Sequence, residues 1–341
     1  MSKGIVAIIA LLLIAGVAYF ATSYGKHDAQ FVSAQELQDA LNRQILTIIP
    51  QDDELRIDGS FTCDERLTCK AQKITILDTA SESEFIVLQN LVLHYHITQK
   101  TNNTTISGEV NYGQSLLEQI EFGHPGIIEA LTPLLPNKFL CNGNGTLDSE
   151  EGIETNWGDC IISSPSADWK IAGNMDIGLD LFKNTTMPEI LLDKDGKFSQ
   201  FEFSDEAMDS FRFGLREVTL TLVSRNFSDA LFELARMKEP NITRNELALG
   251  VDMAIGMGIM AMRANEIDEE DARTSEQFAQ ALENFQLGLR QLLASNSDIT
   301  NISITLHAKE PQKIILYSPA MLEMGSVFEF LRHYNLKSSY K

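Results

Sequence analysis

Two long stretches of this chain alternate apolar and polar residues with a period of two. The first covers residues 55–112 and the second covers residues 169–223. Such alternation is typical of antiparallel strands that bury one face and leave the other in water. Within the second stretch, Asp195-Gly196 has the composition of a tight hairpin turn. A last strand pair is predicted at residues 302–306 and 314–316.

Apolar residues spaced three or four apart predict helices before, between and after these strand blocks. Ser33-Ala-Gln-Glu36 and Thr243-Arg-Asn-Glu246 each match a capping box, in which a hydroxyl and a carboxylate bond the first free amides of a helix. Pro50 should end the first of these helices. Further helices are predicted at residues 116–135, with a break near Pro125, and at 228–238, 247–262, 278–292 and 320–334.

The N-terminal segment from Gly4 to Gly25 contains no charged residue and is nearly all apolar in its centre. Its length suits a helix that spans a membrane. A cleaved signal peptide is the alternative, because Ala21-Thr-Ser23 is an acceptable small-x-small cleavage site. Lys3 and Lys26 flank the segment on both sides, so the positive-inside rule barely discriminates its orientation.

The cysteines indicate on which side of the membrane the rest of the chain lies. There are 4 cysteines, and they fall as two local pairs, Cys63 with Cys69 and Cys141 with Cys160. Four cysteines allow three connectivities, and local pairing is favoured because each pair closes a short polar loop. Unrelated buried thiols are the alternative. Disulfides persist in oxidising compartments, so we predict a single-pass protein of a bacterial-type cell membrane, with its body in the periplasm or outside the cell.

These patterns predict an α+β fold, in which long antiparallel β-sheets are covered by amphipathic helices and preceded by one N-terminal transmembrane helix. The predicted domains are a membrane anchor or signal (1–25), a first helix-plus-sheet unit (26–140), a disulfide-closed acidic loop (141–160) and a second sheet-plus-helix unit (161–341).

The net charge of the chain indicates which classes of macromolecule are unsuitable as partners. The 341 residues carry 27 Lys+Arg against 48 Asp+Glu, a formal net charge of -21. A field of that sign repels phosphate backbones, so nucleic acid is not expected as a partner. A role in solubility alone is the plainer explanation of the acidity.

Familiar catalytic motifs are absent from the sequence. There is no Gly-x-Ser-x-Gly, no His-Glu-x-x-His, no phosphate-binding Gly-x-x-x-x-Gly-Lys and no dinucleotide fingerprint. An enzyme is therefore the least favoured class.

The segment 141–160 begins with Cys-Asn-Gly-Asn-Gly, has an acidic centre and ends in Asp-Cys. It resembles the short cysteine-bounded calcium-loop modules of secreted, multi-domain bacterial proteins, which begin with Cys-Gly-Asn-Gly. That resemblance implies a calcium site, with Cys141 and Cys160 as its outer clamp and oxygen ligands from Asn144, Asp148, Glu151 and Asp159. The segment departs from the pattern at Leu147 and Asn156, which stand where an inner cysteine pair is expected.

The helix predicted at residues 247–262 is rich in methionine and glycine. Met253, Met257 and Met260 recur at helical spacing, and thioether side chains repack around varied apolar ligands. These residues are therefore candidates for binding such a ligand, although ordinary core packing is the favoured explanation of their spacing.

The predicted function is therefore that of a membrane-anchored extracytoplasmic envelope protein, attached through residues 4–24, which binds a lipid-like or apolar ligand. The alternative is an envelope scaffold or protein-interaction module that has a structural calcium loop and no small ligand. Lipid or an envelope protein would be the partner.

Overall fold

The structure is a computed structural model, which describes residues 33–48, 55–98, 100–121, 125–186, 210–264, 268–294, 299–311 and 327–341. Several predicted features lie outside these residues. They are the apolar segment at 4–25, the helix end at Pro50, the hairpin at Asp195-Gly196, the strand at 314–316 and the first part, 320–326, of the C-terminal helix.

Strands form the largest part of the described structure. They are β1 (Leu55–Gly59), β2 (Thr62–Cys63), β3 (Thr68–Asp78), β4 (Ser83–Ile97), β5 (Thr101–Tyr112), β6 (Lys138–Asp148), β7 (Ile153–Ser163), β8 (Ala167–Gly178), β9 (Arg212–Ser224), β10 (Asn301–Ala308) and β11 (Tyr334–Tyr340). They belong to one antiparallel sheet of 11 strands, in the order β1-β3-β4-β5-β6-β7-β8-β9-β10-β11, with β2 paired to β3.

The described helices are α1 (Ala34–Ile48), α2 (Gln114–Glu121), α3 (Ile127–Leu131), α4 (Phe227–Lys238), α5 (Arg244–Arg263), α6 (Glu269–Leu293) and α7 (Val327–Leu331). Both capping boxes are confirmed. The Ser33 amide donates to Glu36 Oε2 at 2.7 Å, and the Glu36 amide donates to Ser33 Oγ at 3.2 Å. Thr243 and Glu246 form the same pair of bonds at the start of α5.

The predicted fold class is wrong. The sequence predicted several antiparallel sheets preceded by a transmembrane helix, whereas the strands of both blocks belong to a single sheet. The reason lies in residues 141–160, which were expected to form a loop between two units. They form most of β6 and β7, and β6 pairs with β5, so the sheet continues through this segment. None of the helices in the described ranges combines the length and apolar character that a membrane crossing requires.

Both predicted disulfides are confirmed, and each joins neighbouring strands. Cys63 of β2 is bonded to Cys69 of β3, and their Cα atoms are 3.9 Å apart. Cys141 of β6 is bonded to Cys160 of β7, with a Cα separation of 4.0 Å. No described cysteine is free. Each bond therefore fixes the register of one pair of antiparallel strands.

The described chain divides into two compact units. The first contains described residues within Met1–Pro125, Pro136–Ile162 and Ile177–Phe211, and the second contains those within Gly126–Leu135, Ser163–Asp176 and Arg212–Lys341.

The first unit buries apolar side chains of successive strands in one core. Ile76 of β3 lies opposite Ile86 of β4, and Leu93 of β4 lies opposite Ile106 of β5. Leu37 of α1 belongs to the same buried cluster. The alternation seen in the sequence therefore corresponds to an inward face that runs across adjacent strands.

The second unit is built on the long helix α6, which packs on β10 and β11. Asp268 caps this helix, because its Oδ1 accepts the amides of Glu270 and Asp271 at 2.9 and 2.8 Å. Phe278 and Leu292, two members of the predicted apolar stripe, are buried. The prediction of an amphipathic helix here is confirmed.

The C-terminal prediction is wrong at its end. A helix was expected to reach Tyr334, but the described helix α7 ends at Leu331 and Tyr334 opens strand β11. Tyr334 is buried, and its hydroxyl accepts the amide of Leu215 at 3.3 Å. Leu336 lies opposite Leu306 of β10. The period-two spacing of Tyr334 and Leu336 is the signal that the helical interpretation overlooked.

Candidate functional site

The segment that resembles a calcium loop is a β-hairpin. Its strands β6 and β7 are linked by the Cys141–Cys160 disulfide near one end, and a short turn joins Asp148 to Ile153 at the other. Because side chains alternate between the two faces of a strand, neighbouring residues of this segment cannot all point to one place.

The four predicted calcium ligands lie at different places along the hairpin. Asp148 stabilises the turn, because its Oδ1 accepts the backbone amides of Glu150 and Glu151 at 3.0 and 3.2 Å. Asn144 donates through Nδ2 to Asn103 Oδ1 at 2.5 Å. Asp159 Oδ1 accepts the side-chain amide of Asn142 at 3.2 Å.

The structure does not bring these four side chains together. Asp159 lies beside Asn142, which is six residues from Asp148 along β6, a distance of about 20 Å in an extended strand. Asp148 and Glu151 share the turn, but Asn144 and Asp159 do not reach it. Within the described ranges, no group of three or more His, Cys, Asp or Glu side chains is placed to hold a metal.

The intervening residues of the same hairpin face inward and include several polar groups. Gly143 and Gly145 of β6 and Glu154 and Asn156 of β7 are buried. Glu154 is only 1% exposed and Asn156 only 2%. The sequence analysis missed these positions because it treated the segment as a loop. The spacing of two residues in Gly143-x-Gly145 and Glu154-x-Asn156 is the pattern that would have indicated strands with these residues on one face.

Three side chains from β4 and β5 join Glu154 and Asn156 in an inner polar cluster: Tyr95, Asn102 and Thr104. Tyr95 lies opposite Thr104, which lies opposite Gly143, and Asn102 lies opposite Gly145. All three side chains are buried, and Asn102 is 0% exposed. Burying a polar group without a hydrogen bond costs about 1–3 kcal/mol, so a cluster of this size needs a physical explanation.

Burial and the nearby Glu154 carboxylate both act on the Tyr95 hydroxyl of the inner polar cluster. Burial raises the pKa of the Tyr95 hydroxyl well above its usual value, and the negative charge of Glu154 raises it further. The phenol therefore remains protonated at every physiological pH and can donate a hydrogen bond.

The methionines of α5 form a second candidate site, of the opposite character. Met253, Met257 and Met260 are 67%, 57% and 64% exposed, and Leu249 continues the row one turn earlier at 52%. We call these four residues the methionine face. Exposed large apolar side chains that lie together on one helix are unusual on a folded protein. The structure thus places the three predicted ligand-binding residues side by side on the surface.

Polar contacts at both ends and on the opposite side hold α5 in place. Arg244 donates to Ser228 Oγ at 2.8 Å, and its guanidinium lies 4.6 Å from the centre of the Phe232 ring. At the other end Arg263 pairs with Glu276 of α6 at 2.9 Å. Ile259 is buried. The helix therefore has a fixed inner side, and the methionine face is its outer side.

Small residues lie beside the methionine face. Gly250, Ala254 and Gly258 are all exposed and recur every four residues. In the part of the chain that the structure describes, a methyl group added to Gly250, Gly256 or Gly258 would have no neighbour within 4 Å. These glycines are thus not explained by packing against any described residue.

No protein-family model matches this sequence, and a search of curated proteins finds no match.

Proposed function

We propose that this chain is an exported envelope protein whose methionine face binds an apolar helix of a partner protein. The observation that carries the proposal is the exposed row of Leu249, Met253, Met257 and Met260. Two helices can pack directly against each other along such apolar rows, with the side chains of one fitting between those of the other. Methionine suits this role because its flexible, polarisable side chain adapts to different partners.

The glycines beside the row support a helix as the occupant. Each glycine inside a helix is less favourable than alanine by about 1 kcal/mol, so Gly250, Gly256 and Gly258 make α5 intrinsically less stable. Small residues repeated every four positions let the backbone of a second helix approach closely. Gly250, Ala254 and Gly258 have that spacing.

The two disulfides support a location outside the cytosol, because such bonds persist in oxidising compartments and are rare elsewhere. The apolar segment at residues 4–25 supports targeting to the membrane. A reporter that is active only outside the cytosol, fused after Lys341, should therefore be active. Activity of a cytosolic reporter at the same position would contradict the proposed location.

A lipid-like ligand is the second candidate for the same residues. Exposed thioethers favour it, since they contact acyl chains as readily as side chains. The geometry favours it less, because small ligands bind in concave sites that enclose most of their surface. The methionine face is instead one side of a helix, with side chains 57–67% exposed at its three methionines.

Photocrosslinking in the cells that make the protein separates the two candidates. A benzophenone amino acid in place of Met257 should crosslink to an apolar helix of one partner protein, identified by mass spectrometry. The same group in place of Glu283, an exposed residue of α6, is the matched control and should give no such product.

A second variant tests whether a helix or a lipid is bound. Gly250→Leu combined with Gly258→Leu fills the ridge beside the methionines and leaves the methionines themselves in place. Close approach of a partner backbone would be blocked, so the protein crosslink at position 257 should disappear. Crosslinking to lipid alone, unchanged by the leucines, would overturn the partner helix in favour of the lipid-like ligand, and no crosslink at all would overturn both.

A further inference from the structure

The side chains of β5, β6 and β7 that alternate with the buried ones form a polar surface on the outward face of the sheet. Asn103 of β5 lies opposite Asn144 of β6, and Thr105 lies opposite Asn142. Thr105 Oγ1 donates to Asn142 Oδ1 at 3.0 Å, and Asn142 Nδ2 donates in turn to Asp159 Oδ1 of β7 at 3.2 Å. A chain of hydrogen bonds therefore crosses three neighbouring strands and holds these side chains side by side.

Trp157 of β7 adds one large aromatic ring to this surface. Because β6 and β7 are antiparallel, the register that places Asn142 beside Asp159 also places Asn144 beside Trp157. Trp157 is 46% exposed, and it is the only aromatic residue among the exposed large apolar side chains of the described ranges. We give the name tryptophan platform to this ring and its polar neighbours: Asn103, Thr105, Asn142, Asn144, Trp157 and Asp159.

The combination of this ring with amides indicates the chemistry of a ligand. A single exposed apolar residue requires no explanation, but Trp157 lies among side chains that form hydrogen bonds. The face of an aromatic ring carries partial negative charge, so it attracts the weakly positive C–H bonds of a saturated ring. A pyranose sugar presents such C–H bonds on its flat face and hydroxyl groups around its edge. Trp157 and the adjacent amides therefore match the two kinds of surface that a sugar offers.

The amides of the tryptophan platform have hydrogen-bonding capacity for such a ligand. A side-chain amide has two N–H donors and one accepting oxygen. Asn144 Nδ2 gives one of its hydrogens to Asn103 Oδ1 at 2.5 Å. Sugar hydroxyls both donate and accept, so they can bond the other N–H and the oxygen of Asn144. Because the bond to Asn103 already orients both amides, binding would order few side chains.

The charge of the tryptophan platform favours a neutral ligand. Asp159 is its only ionisable member, and the whole chain has a formal net charge of -21. Acidic sugars and phosphate or sulfate esters are therefore repelled. A neutral sugar avoids this repulsion, and the Asp159 carboxylate can accept hydrogens from its hydroxyl groups.

The width of the surface indicates the size of the ligand. The tryptophan platform covers three strands, about 10 Å across the sheet, because neighbouring strands are about 4.8 Å apart. The exposed residues His96 and His94 of β4 lie opposite Asn103 and Thr105 and extend the same face by one strand. A surface of this width suits a short chain of linked sugar rings better than a single ring.

We propose that the tryptophan platform binds a neutral oligosaccharide, with one sugar ring stacked on Trp157 and its hydroxyls bonded to Asn144 and the neighbouring polar side chains. The aromatic ring supplies apolar contact, and the amides select the arrangement of hydroxyls that fits. This site goes beyond the partner docking proposed for α5 and is independent of it, since it uses none of the residues of that helix.

Isothermal titration calorimetry of the full-length protein, in a detergent without a sugar headgroup, tests the proposal. The neutral probes are cellotetraose, chitotetraose and maltotetraose, and tetragalacturonate is the acidic comparison. At least one neutral probe should bind saturably, with one site per chain, and the acidic probe should not bind. Failure of all three neutral probes would overturn the proposal, and so would binding of the acidic probe alone.

Substitutions in the tryptophan platform test where the sugar binds. Trp157→Ala should raise the Kd about tenfold, whereas Trp157→Phe, which keeps an aromatic face, should raise it less. Asn103→Ala combined with Asn144→Ala should also raise the Kd. Leu287→Ala is the matched control, because it removes a similarly exposed apolar side chain from α6, and its Kd should be unchanged. A Kd that is the same in Trp157→Ala as in the natural chain would place the sugar elsewhere and contradict the proposal.

Discussion

The β6–β7 hairpin and helix α5 depart from the usual distribution of side chains in opposite directions. The hairpin turns Glu154 and Asn156 into the protein interior, whereas α5 leaves Met253 and Met257 exposed to solvent. Either departure is unfavourable in isolation, because polar groups lose water and apolar groups retain contact with it. The comparison shows that burial alone explains neither region: the hairpin buries polar groups and the helix exposes apolar ones.

Glycine is used differently in the two regions. At Gly145 the space normally taken by a side chain is filled by polar atoms, the nearest at 2.6 Å. At Gly258 the corresponding space has no described atom within 4 Å. The first glycine lets groups of the same chain approach, and the second leaves room for something outside it.

The largest effect should come from opening the hairpin. Cys141→Ala with Cys160→Ala should lower the free energy of unfolding by about 3 kcal/mol, because the bond between positions 19 residues apart restricts the unfolded chain. Denaturant unfolding measures the loss.

Removal of the Cys63–Cys69 bond is the matched control. Its sequence separation is 6, so the loss should be smaller, about 2 kcal/mol. The accessibility of the α5 methionines should be unchanged in both variants. A larger loss from the shorter loop would contradict this explanation.

The same substitution in the two regions should have opposite signs. Gly145→Ala should destabilise the fold by about 1–3 kcal/mol, since its methyl would lie too close to Glu154 and Asn156. Gly258→Ala should stabilise it by about 0.5–1 kcal/mol, because alanine is the better helix former and nothing described obstructs it. Chemical unfolding of the two variants side by side checks both signs. Destabilisation by Gly258→Ala would show that this position is already covered.

Oxidation should have the smallest effect on stability. Dilute hydrogen peroxide should convert Met253, Met257 and Met260 to sulfoxides before the other methionines whose side chains the structure describes, because these three are more than half exposed. The free energy of unfolding should change by less than about 0.5 kcal/mol, as is usual for surface changes. Peptide mass spectrometry gives the order of oxidation, and loss of the crosslink at position 257 reports on docking. Stability that falls with sulfoxide formation would instead indicate that these residues are core.

Local features of the fold could be predicted from the sequence because local spacing determines them. The capping boxes at Ser33 and Thr243 formed as expected, and so did both cysteine pairs. Each depends on residues that are close together along the chain. The number of sheets could not be predicted in the same way. Period-two alternation shows that a strand has a buried face, but it does not show which strand lies beside it.

The candidate sites illustrate the same limit. Met253, Met257 and Met260 were identified together because one helix carries all three, although core packing was an equally local explanation. The inner polar cluster joins Asn102 to Glu154 and Asn156, which are far apart in the chain. Only the pairing of Asn102 with Gly145 brings them together. The acidic centre of 141–160 drew attention to Asp148 and Glu151, whereas the less conspicuous residues of the segment face inward.

The order of the strands has a consequence for how the protein can assemble. Apart from β2, each strand lies beside the strand that precedes it among the remaining strands of the chain. Such a meander has few pairings between distant segments, and proteins dominated by local pairings fold faster at similar stability. A chain that emerges N-terminus first can therefore add each new strand to an edge that already exists. Its earlier strands need not remain unpaired, and prone to aggregate, while the later ones are still being delivered.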